Sequence, residues 1–240
     1  MANSLPKSGT HLLLQIARAI PDTTYIGGFI SHASSITLWE RPFENIKSRL
    51  DHLHEGEVVG AHIRYDERTA DFIRNMNLIH LFIFRDPRDV ILSEEAYLMQ
   101  MAPWNRMHRI LKKLPTREER LKSLIRGVPG IREDIGERVR TFIAWLDEAD
   151  VIGIRYEDLQ GPGRKSAIRR LSEEIVARVP SYGPPDELTE RMENAIDPRR
   201  SHTFREGGTE KWRRELSAEL LDQIQELAGD EIARLGYPPA

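Results

Sequence analysis

The sequence predicts a three-layer α/β fold in which a central parallel sheet is flanked by helices on both faces. Three short apolar segments, rich in β-branched or aromatic residues, are typical of buried parallel strands: Glu57–His62, 78–84 and 150–156. Amphipathic helical patterns alternate with these segments, as in a sheet that is covered on both sides. Because such sheets bind ligands beyond the carboxyl ends of their strands, residues that follow a strand are the first functional candidates.

Apolar spacing predicts helices at residues 8–20, 86–101, 131–149 and 215–235. The second helix has a clear start signal, since Asp86 suits the N-cap and Pro87 suits the first helical position. The basic stretch 102–130 is broken by prolines and predicts a surface excursion or lid. Long loops are predicted at residues 180–185 and 197–212.

The 240-residue chain, with 40% hydrophobic residues, is long enough for one sizeable core, and we expect a single domain over residues 1–240. Its net charge of −3 gives no global basic field, so no nucleic-acid partner is expected. The absence of cysteine excludes disulfides, thiolate catalysis and cysteine metal sites. No apolar stretch is long enough for a membrane span and no signal-peptide pattern is present, which favours a cytoplasmic protein without a membrane partner. The oligomeric state stays open, with a homodimer as one option.

The string Pro6-Lys7-Ser8-Gly9-Thr10 directly precedes a predicted helix. Backbone N–H groups at a helix start point outward, and the helix dipole favours negative charge there. Gly9 allows close approach of the backbone, Lys7 adds a positive charge, and the two hydroxyls add donors. The string indicates a phosphate or sulfate site, but a plain cap at Ser8 and a turn at Gly9 would explain it equally well. The Walker A pattern is absent.

A second motif follows the predicted strand 78–84. Arg85 lies directly after that strand, at the sheet edge where ligands bind, and its planar fork suits a phosphate. Ser93 follows eight residues later, two turns into the next helix, and can present a hydroxyl to the same group. The competing interpretation pairs Arg85 with Asp86 or Asp89 and gives Ser93 no special role.

Four segments in this order resemble the sulfotransferase family. The loop at residues 6–10 resembles the family's 5′-phosphosulfate loop, and residues 85–93 resemble its 3′-phosphate segment. Tyr156-Glu157-Asp158-Leu159 after the third strand and Phe204-Arg205-Glu206-Gly207, followed by Trp212, complete the set. The resemblance implies a P-loop-NTPase-like sulfotransferase fold. It also implies transfer of a sulfuryl group from 3′-phosphoadenylyl sulfate (PAPS) to a hydroxyl or amine, with no metal required.

The same resemblance implies a role for each residue. Contacts to the donor's sulfate and 5′-phosphate would come from Lys7, Ser8, Gly9, Thr10 and His11. Its 3′-phosphate would be held by Arg85, Ser93, Arg205 and the Gly207 backbone, with Tyr156 near the adenosine. Lys7 would also be catalytic, because its ammonium neutralises the charge that develops as the sulfur–oxygen bond breaks.

His62, at the end of the strand Glu57–His62, is the predicted base that takes the acceptor's proton. It stands where many family members have a catalytic histidine, and an unperturbed pKa of about 6.5 suits a base near neutral pH. The alternatives left open are His32 and the carboxylates Asp66 and Glu67.

The chain departs from the family pattern at four places. The first strand is almost missing, with only residues 1–5 before the anion loop. Leu12 replaces a tryptophan that stacks on adenine, which makes Trp212 a candidate for stacking. Glu206 replaces a lysine beside Arg205, and Gly60 replaces the lysine of the catalytic region.

Two other functions are compatible with the motifs: a nucleotide-dependent phosphotransferase, and a non-catalytic nucleotide-binding module on the same fold. The acceptor, a small molecule or a carbohydrate, is not readable from the sequence. Its pocket is expected in the loops 25–39 and 99–130. Apolar residues that could line it are Phe29, Trp39, Tyr97, Met101 and Trp104, each of which could equally be core.

Overall fold

The computed structural model describes residues 1–197 and 208–239. Its centre is a parallel sheet with the strand order β2-β3-β1-β4-β5. The strands are β1 Ala2–Ser4, β2 Thr24–Ser31, β3 Glu57–His62, β4 His80–Phe84 and β5 Val151–Arg155. The α/β prediction is confirmed. Each of the three strands predicted from apolar runs is present, the last two slightly shorter than expected.

The first strand is short but central. β1 pairs with β3 on one side and with β4 on the other, and its three residues are fully buried. The side chain of Asn3 holds it further, because its amide nitrogen donates to the carbonyl of Ile63 (3.1 Å) and its oxygen accepts from the Ile63 N–H (2.9 Å). Three residues therefore anchor the loop that follows, since neighbours on both sides fix their position.

β2 corrects the prediction that residues 25–39 form only loops. This edge strand pairs with β3, but the register shifts between Tyr25 and Phe29, where Gly27 and Gly28 have positive φ angles. Only Ile30 in it is fully buried. Bulged, glycine-containing edge strands lack the apolar run by which buried strands are recognised, which is why the sequence did not reveal it.

Helices cover both faces of the sheet, and in the described residues they are α1 Thr10–Ala17, α2 Phe43–Asp51, α3 Glu67–Asn75, α4 Pro87–Gln100, α5 Arg106–Leu111, α6 Arg117–Arg126, α7 Ile135–Ile143, α8 Arg164–Arg178, α9 Pro185–Ala195, α10 Trp212–Glu215 and α11 Ala218–Arg234. One core cluster joins α1, α8 and α9 to the sheet through Leu81 and Ile83. The other joins the remaining helices through residues such as Phe82. Alternate strand residues thus face opposite layers. Within the described part of the chain, no helix is long and apolar enough to cross a membrane.

The stretch 102–130 is not a surface lid. It contains α5 and α6, whose residues Met107, Leu111, Leu121 and Leu124 are buried in the main core. The basic residues Lys112, Lys113 and Arg117 are exposed, which is why the charge pattern suggested a surface segment. The apolar residues between the charges pack into the core and fix the stretch there.

Two predicted helix boundaries also move. The helix expected at 131–149 begins only at Ile135, because the side chain of Asp134 caps it by accepting from the Glu137 N–H (2.9 Å). The predicted loop 180–185 is a 3-10 turn, Pro180–Tyr182, after which α9 begins.

Candidate active site

A cavity of about 1200 Å³ opens at the carboxyl ends of the strands. One end of it, which we call the donor end, is lined by the anion loop and by side chains that follow β4 and β5: Lys7, Gly9, Thr10, His11, Arg85, Ser93 and Tyr156. The other end, which we call the acceptor end, is lined by residues after β2 and β3 and by the segment 126–138. The structure therefore brings the predicted site residues that it describes together around one cavity. The exception is Ser8, whose side chain is buried within the loop and does not line the cavity.

The anion loop is a tight turn between β1 and α1. The Ser8 N–H donates to the carbonyl of Leu5 (3.2 Å), and Lys7 and Gly9 both adopt positive φ angles, 74° and 107°. The hydroxyl of Ser8 is buried and has no hydrogen-bond partner among the described residues. A buried hydroxyl without a partner is costly, and an oxyanion seated on the loop would satisfy it. The loop thus fits an anionic group.

Gly9 is required by the packing around it as well as by its backbone angle. A Cβ at this position would lie 2.6 Å from Cδ2 of Tyr156, closer than side chains approach one another. The Tyr156 ring is buried and lies against the loop. Tyr156, the first residue after β5, therefore supports the anion loop by packing against it.

Two further side chains of the loop are held by specific contacts. The ammonium of Lys7 lies 4.0 Å from the centre of the Tyr97 ring, which directs it toward α4 and the cavity. The hydroxyl of Thr10 lies 2.5 Å from the Ser4 hydroxyl, so this side chain links α1 to the end of β1. Sequence reasoning did not identify Tyr97 as a partner of Lys7, because no local spacing joins the two residues.

Arg85 follows the last residue of β4 and lines the donor end of the cavity. Its guanidinium stacks 4.4 Å above the Tyr156 ring, and one terminal nitrogen donates to the carbonyl of Gly208 (3.0 Å). Its Nε is buried without a partner among the described residues. The nearest carboxylate is that of Asp89, at 3.7 Å, whereas Asp86 pairs with Arg88 at 2.8 Å. The competing interpretation is therefore correct only in the loose pairing with Asp89, and Arg85 retains a donor for an anion.

Asp89 is a residue whose importance the sequence did not reveal. Its two carboxylate oxygens accept from the backbone N–H groups of Glu210 (2.9 Å) and Trp212 (3.1 Å), and its side chain is almost fully buried. Burial raises its pKa, and the nearby guanidinium of Arg85 opposes that shift. The spacing of Arg85 and Asp89, four residues apart at a strand-to-helix junction, was the available signal.

Predicted residues Arg205 and Gly207 lie outside the described residues, as does Glu206. The residues on either side of that stretch are held near the donor end: Gln15 exchanges two hydrogen bonds with the backbone of Asp197, and Arg85 binds the carbonyl of Gly208. Asp197 and Gly208 are thereby attached beside the anion loop.

Trp212 does not offer a stacking surface for adenine. It is 2% exposed, and the guanidiniums of Arg88 and Arg213 lie 3.7 and 4.3 Å from its ring. Its backbone is bound to Asp89. The stacking prediction for this residue is therefore wrong, because tertiary packing uses the indole as a buried anchor for the segment that follows residue 207.

His62, the last residue of β3, lines the same cavity. Its Nδ1 lies 3.0 Å from the carbonyl oxygen of Ser4, and its ring stacks on Phe29 with a centroid distance of 5.1 Å. A carbonyl only accepts, so Nδ1 carries the proton and Nε2 keeps a lone pair. Burial lowers the pKa of His62 to about 4, and the bond to Ser4 offsets part of this effect. The ring is neutral at physiological pH and able to accept a proton.

His32, like His62, is bound through Nδ1 to a backbone carbonyl. Its Nδ1 donates to the carbonyl of His62 (2.8 Å), and burial, followed by the charge of Arg64, lowers its pKa to about 4. Asp66 and Glu67 do not line the cavity, and Asp66 caps α3 by accepting from the Thr69 N–H (2.9 Å). Of the alternatives, geometry leaves His32 as the competitor of His62.

The family assignment follows from the whole chain. A family model described as the sulfotransferase domain matches residues 2–236.

The chain belongs to the sulfotransferase family.

Solved structures with a similar fold include the mouse sulfotransferase SULT7A1 in complex with PAP, at 15% identity and a TM-score of 0.64, covering 96% of this chain and 83% of that one. Retinol dehydratase is also similar. Its complex with androsterone and the inactive cofactor PAP gives 14% identity, a TM-score of 0.60 and coverages of 96% and 79%. Its complex with retinol and PAP gives 15% identity and a TM-score of 0.60, covering 96% of this chain and 80% of that one. No curated protein sequence matches the chain.

In this sulfotransferase, Gly60 cannot simply exchange for the lysine that the resemblance leads one to expect. A Cβ on Gly60 would lie 2.8 Å from the Phe29 ring and 3.1 Å from Leu14. The Phe29 ring occupies the side-chain space and stacks on His62 instead. The absence of a lysine at position 60 is thus coupled to the bulged strand β2, which brings the Phe29 ring over Gly60.

The acceptor end of this sulfotransferase is lined by ion pairs. Arg64 binds Glu133 through two parallel hydrogen bonds (2.6 and 2.7 Å), and Glu94 lies between Arg132 and Arg138. Burial would raise the pKa of Glu94, but the two guanidiniums outweigh it and lower that pKa to about 2. The Nε atoms of Arg64, Arg132 and Arg138 are buried without partners among the described residues.

Of the five apolar candidates for the pocket, the structure places Phe29, Trp39 and Tyr97 on the cavity and leaves Met101 and Trp104 off it. Among residues 1–197 and 208–239, no three histidine, aspartate or glutamate side chains are grouped so as to bind a metal ion.

Proposed function

We propose that this sulfotransferase takes the sulfuryl group from PAPS and transfers it to a hydroxyl or amine of a small-molecule or carbohydrate acceptor. The observation that carries the proposal is the convergence of the anion loop, Arg85 and Tyr156 at one end of a single cavity that His62 also lines. The complexes of the structurally similar proteins with PAP support the same donor.

The donor end fits a molecule with two anionic groups. The anion loop, with the buried hydroxyl of Ser8 and the ammonium of Lys7, would bind the sulfate and 5′-phosphate. Arg85 and Ser93 would bind the 3′-phosphate, joined by Arg205 and the Gly207 backbone. PAPS supplies a sulfuryl group on an adenosine bisphosphate leaving group.

The reaction would be an in-line displacement at sulfur, in which His62 and Lys7 have separate parts. His62 takes the proton of the acceptor hydroxyl on its free Nε2, and the acceptor oxygen forms a bond to sulfur as the sulfur–oxygen bond to the phosphate breaks. Lys7 neutralises the negative charge that grows on the leaving oxygen, so that electrostatic stabilisation and positioning carry most of the rate.

The acceptor end supports an acceptor with several polar groups. Its wall combines the Arg64–Glu133 pair with the cluster around Glu94, and a wall of ion pairs offers both donors and acceptors at fixed positions. An acceptor that is apolar over its whole surface would leave these groups unsatisfied.

Thermal unfolding with 3′,5′-adenosine bisphosphate, and separately with ATP and Mg²⁺, tests the donor. We expect the bisphosphate to raise the unfolding midpoint of the protein and ATP with Mg²⁺ to have little effect. Arg85→Ala should lose this stabilisation, whereas Arg170→Ala, at an exposed position on α8, should keep it. Stabilisation by ATP with Mg²⁺ alone would point to a phosphotransferase instead.

Transfer of radiolabelled sulfate from PAPS to a pool of phenols, alcohols, amines and sugars tests the reaction. Labelled product is expected from acceptors that carry several polar groups. Tight binding of the bisphosphate without any product would show a nucleotide-binding module that lacks the activity.

A further inference from the structure

Three of the four large hydrophobic side chains that are exposed in the described chain lie in one place. They are Ile36, Trp39 and Trp104, with exposed fractions of 53%, 72% and 53%. Trp39 lines the acceptor end of the cavity. Such side chains normally lie inside a protein, and a group of them at one rim marks an interaction site.

Hydrogen bonds hold these side chains in their exposed positions. The Arg106 N–H donates to the carbonyl of Ile36 (2.9 Å), and the amide of Asn105 donates to the carbonyl of Ser35 (2.8 Å). Within the first loop, the Ser34 N–H donates to the carbonyl of Trp39 (3.0 Å). The two loops that carry the tryptophans are therefore fastened to each other, and we call them together the rim.

A group of unpaired cations adjoins the rim on α5 and the residues just after it. These are Arg106, Arg109, Lys112 and Lys113, and none of them forms an ion pair within the described part of the chain. Most arginines elsewhere in the fold are paired with carboxylates. Arg106 and Arg109 lie three residues apart on α5, and Lys112 and Lys113 follow its last residue.

Acidic groups do not cancel this charge at the rim. Glu40, next to Trp39, is bound to Arg64 at 2.8 Å. The surface thus combines exposed indoles with cations that form no ion pair with any residue the structure describes. Tryptophan favours the boundary between water and lipid, and lysine and arginine beside it attract anionic headgroups.

We propose that the rim and α5 form a peripheral docking surface for an anionic lipid bilayer, so that the acceptor end of the cavity faces the membrane surface. The indoles insert at headgroup depth while the cations bind the negative surface. A bilayer fits better than an acidic protein because Arg109, Lys112 and Lys113 are long, exposed side chains that no ion pair with a described residue holds in a fixed pattern. This revises the expectation of no membrane partner and is independent of the sulfuryl donor and of the acceptor.

The test uses the protein with vesicles of phosphatidylcholine and with vesicles that also contain phosphatidylglycerol. Of the four tryptophans, Trp145 and Trp212 are buried, so a change in tryptophan emission reports on the rim. We expect the protein to sediment with the anionic vesicles and its tryptophan emission to shift to the blue. Binding to vesicles of phosphatidylcholine alone should be at least tenfold weaker, and salt should reverse the binding to the anionic vesicles.

Variants locate the surface. Arg109→Glu with Lys113→Glu should reduce vesicle binding at least tenfold, roughly the effect of reversing two charges. The matched control, Lys165→Glu with Arg191→Glu, changes two exposed cations on the opposite layer that form no ion pair within residues 1–197 and 208–239, and it should bind as the parent does. Trp39→Ala with Trp104→Ala should lose the blue shift. All six substituted side chains are exposed, so equal unfolding midpoints of the variants and the parent would show that the variants fold.

Three results would overturn the proposal. The first is failure of the parent protein to sediment with anionic vesicles. The second is equal binding by the α5 variant and its control. The third is a blue shift with polyglutamate but not with vesicles, which would assign the surface to an acidic protein partner.

Discussion

The ring of Tyr156 fills the space that a side chain on Gly9 would need, since a Cβ on Gly9 would lie 2.6 Å from Cδ2 of that ring. Two motifs that are far apart in the sequence are thus in direct contact. The anion loop after β1 packs against Tyr156, the first residue after β5, and the guanidinium of Arg85, after β4, stacks on the same ring. The geometry of the donor end depends on this contact.

Gly9→Ala should therefore weaken donor binding strongly. The positive φ angle alone costs a residue with a side chain about 1–2 kcal/mol, and the contact with Tyr156 adds to it. We expect at least a tenfold weaker affinity for 3′,5′-adenosine bisphosphate by calorimetry. Gly161→Ala, where a Cβ meets nothing within 4 Å, is the control and should bind normally. Unchanged affinity in Gly9→Ala would show that the loop does not bind the donor.

Lys7→Ala should abolish turnover while much of the donor affinity remains. The ammonium acts on charge that develops as the leaving group departs, so its removal affects kcat more than the ground-state complex. Single-turnover sulfate transfer and bisphosphate binding, measured on the same preparation, separate the two effects. A variant that keeps kcat and loses only affinity would reduce Lys7 to a binding residue.

Asp89→Asn should weaken donor binding with little change in kcat. The amide offers only one acceptor oxygen for the two N–H groups of Glu210 and Trp212, and it removes the charge beside Arg85. Loss of one buried hydrogen bond to a charged group corresponds to about 1.5–3 kcal/mol. The expected signature is a raised KM for PAPS at constant kcat; an equal fall in kcat would assign Asp89 a direct part in the reaction.

His62→Ala should lower kcat by about 10²–10⁴ while bisphosphate binding survives. His32→Ala should have a smaller effect, because His32 reaches the reaction through its bond to the His62 carbonyl. Since burial lowers the pKa of His62 to about 4, the acid limb of the kcat/KM profile should lie below pH 5. A larger loss in His32→Ala would transfer the role of base to that residue.

Stability should fall as pH decreases from 6.5, owing to buried histidines. Burial lowers the pKa of His80 from 6.5 to about 3, so the unfolded chain takes up this proton first and the native state loses stability as the pH falls between the two values. One such histidine contributes a slope of about 1.4 kcal/mol per pH unit.

Denaturant unfolding of the parent and of His80→Leu, between pH 6.5 and 5, measures this slope. The ring nitrogens of His80 have no partner among the described residues, so the substitution breaks no hydrogen bond there. We expect a shallower pH slope in the variant, by about 1.4 kcal/mol per pH unit. Identical slopes would show that His80 is not buried in its neutral form.

The sequence by itself determined the fold class, three of the five strands in the described part of the chain, and the order of the motifs. These features depend on local patterns: apolar runs, a capped helix at Asp86, and residues such as Arg85 that follow a strand directly. Parallel strands bring their carboxyl ends to one edge, so the convergence of the motifs followed from their positions alone.

Only the tertiary structure decided which side chains are available at that edge. It buried Trp212 against Arg88, brought Phe29 over Gly60 through a bulged edge strand, and joined Lys7 to Tyr97. It also made residues 102–130 part of the core rather than a lid. These outcomes depend on contacts between residues distant in the chain, and local propensity carries no information about which distant side chain will fill a given space.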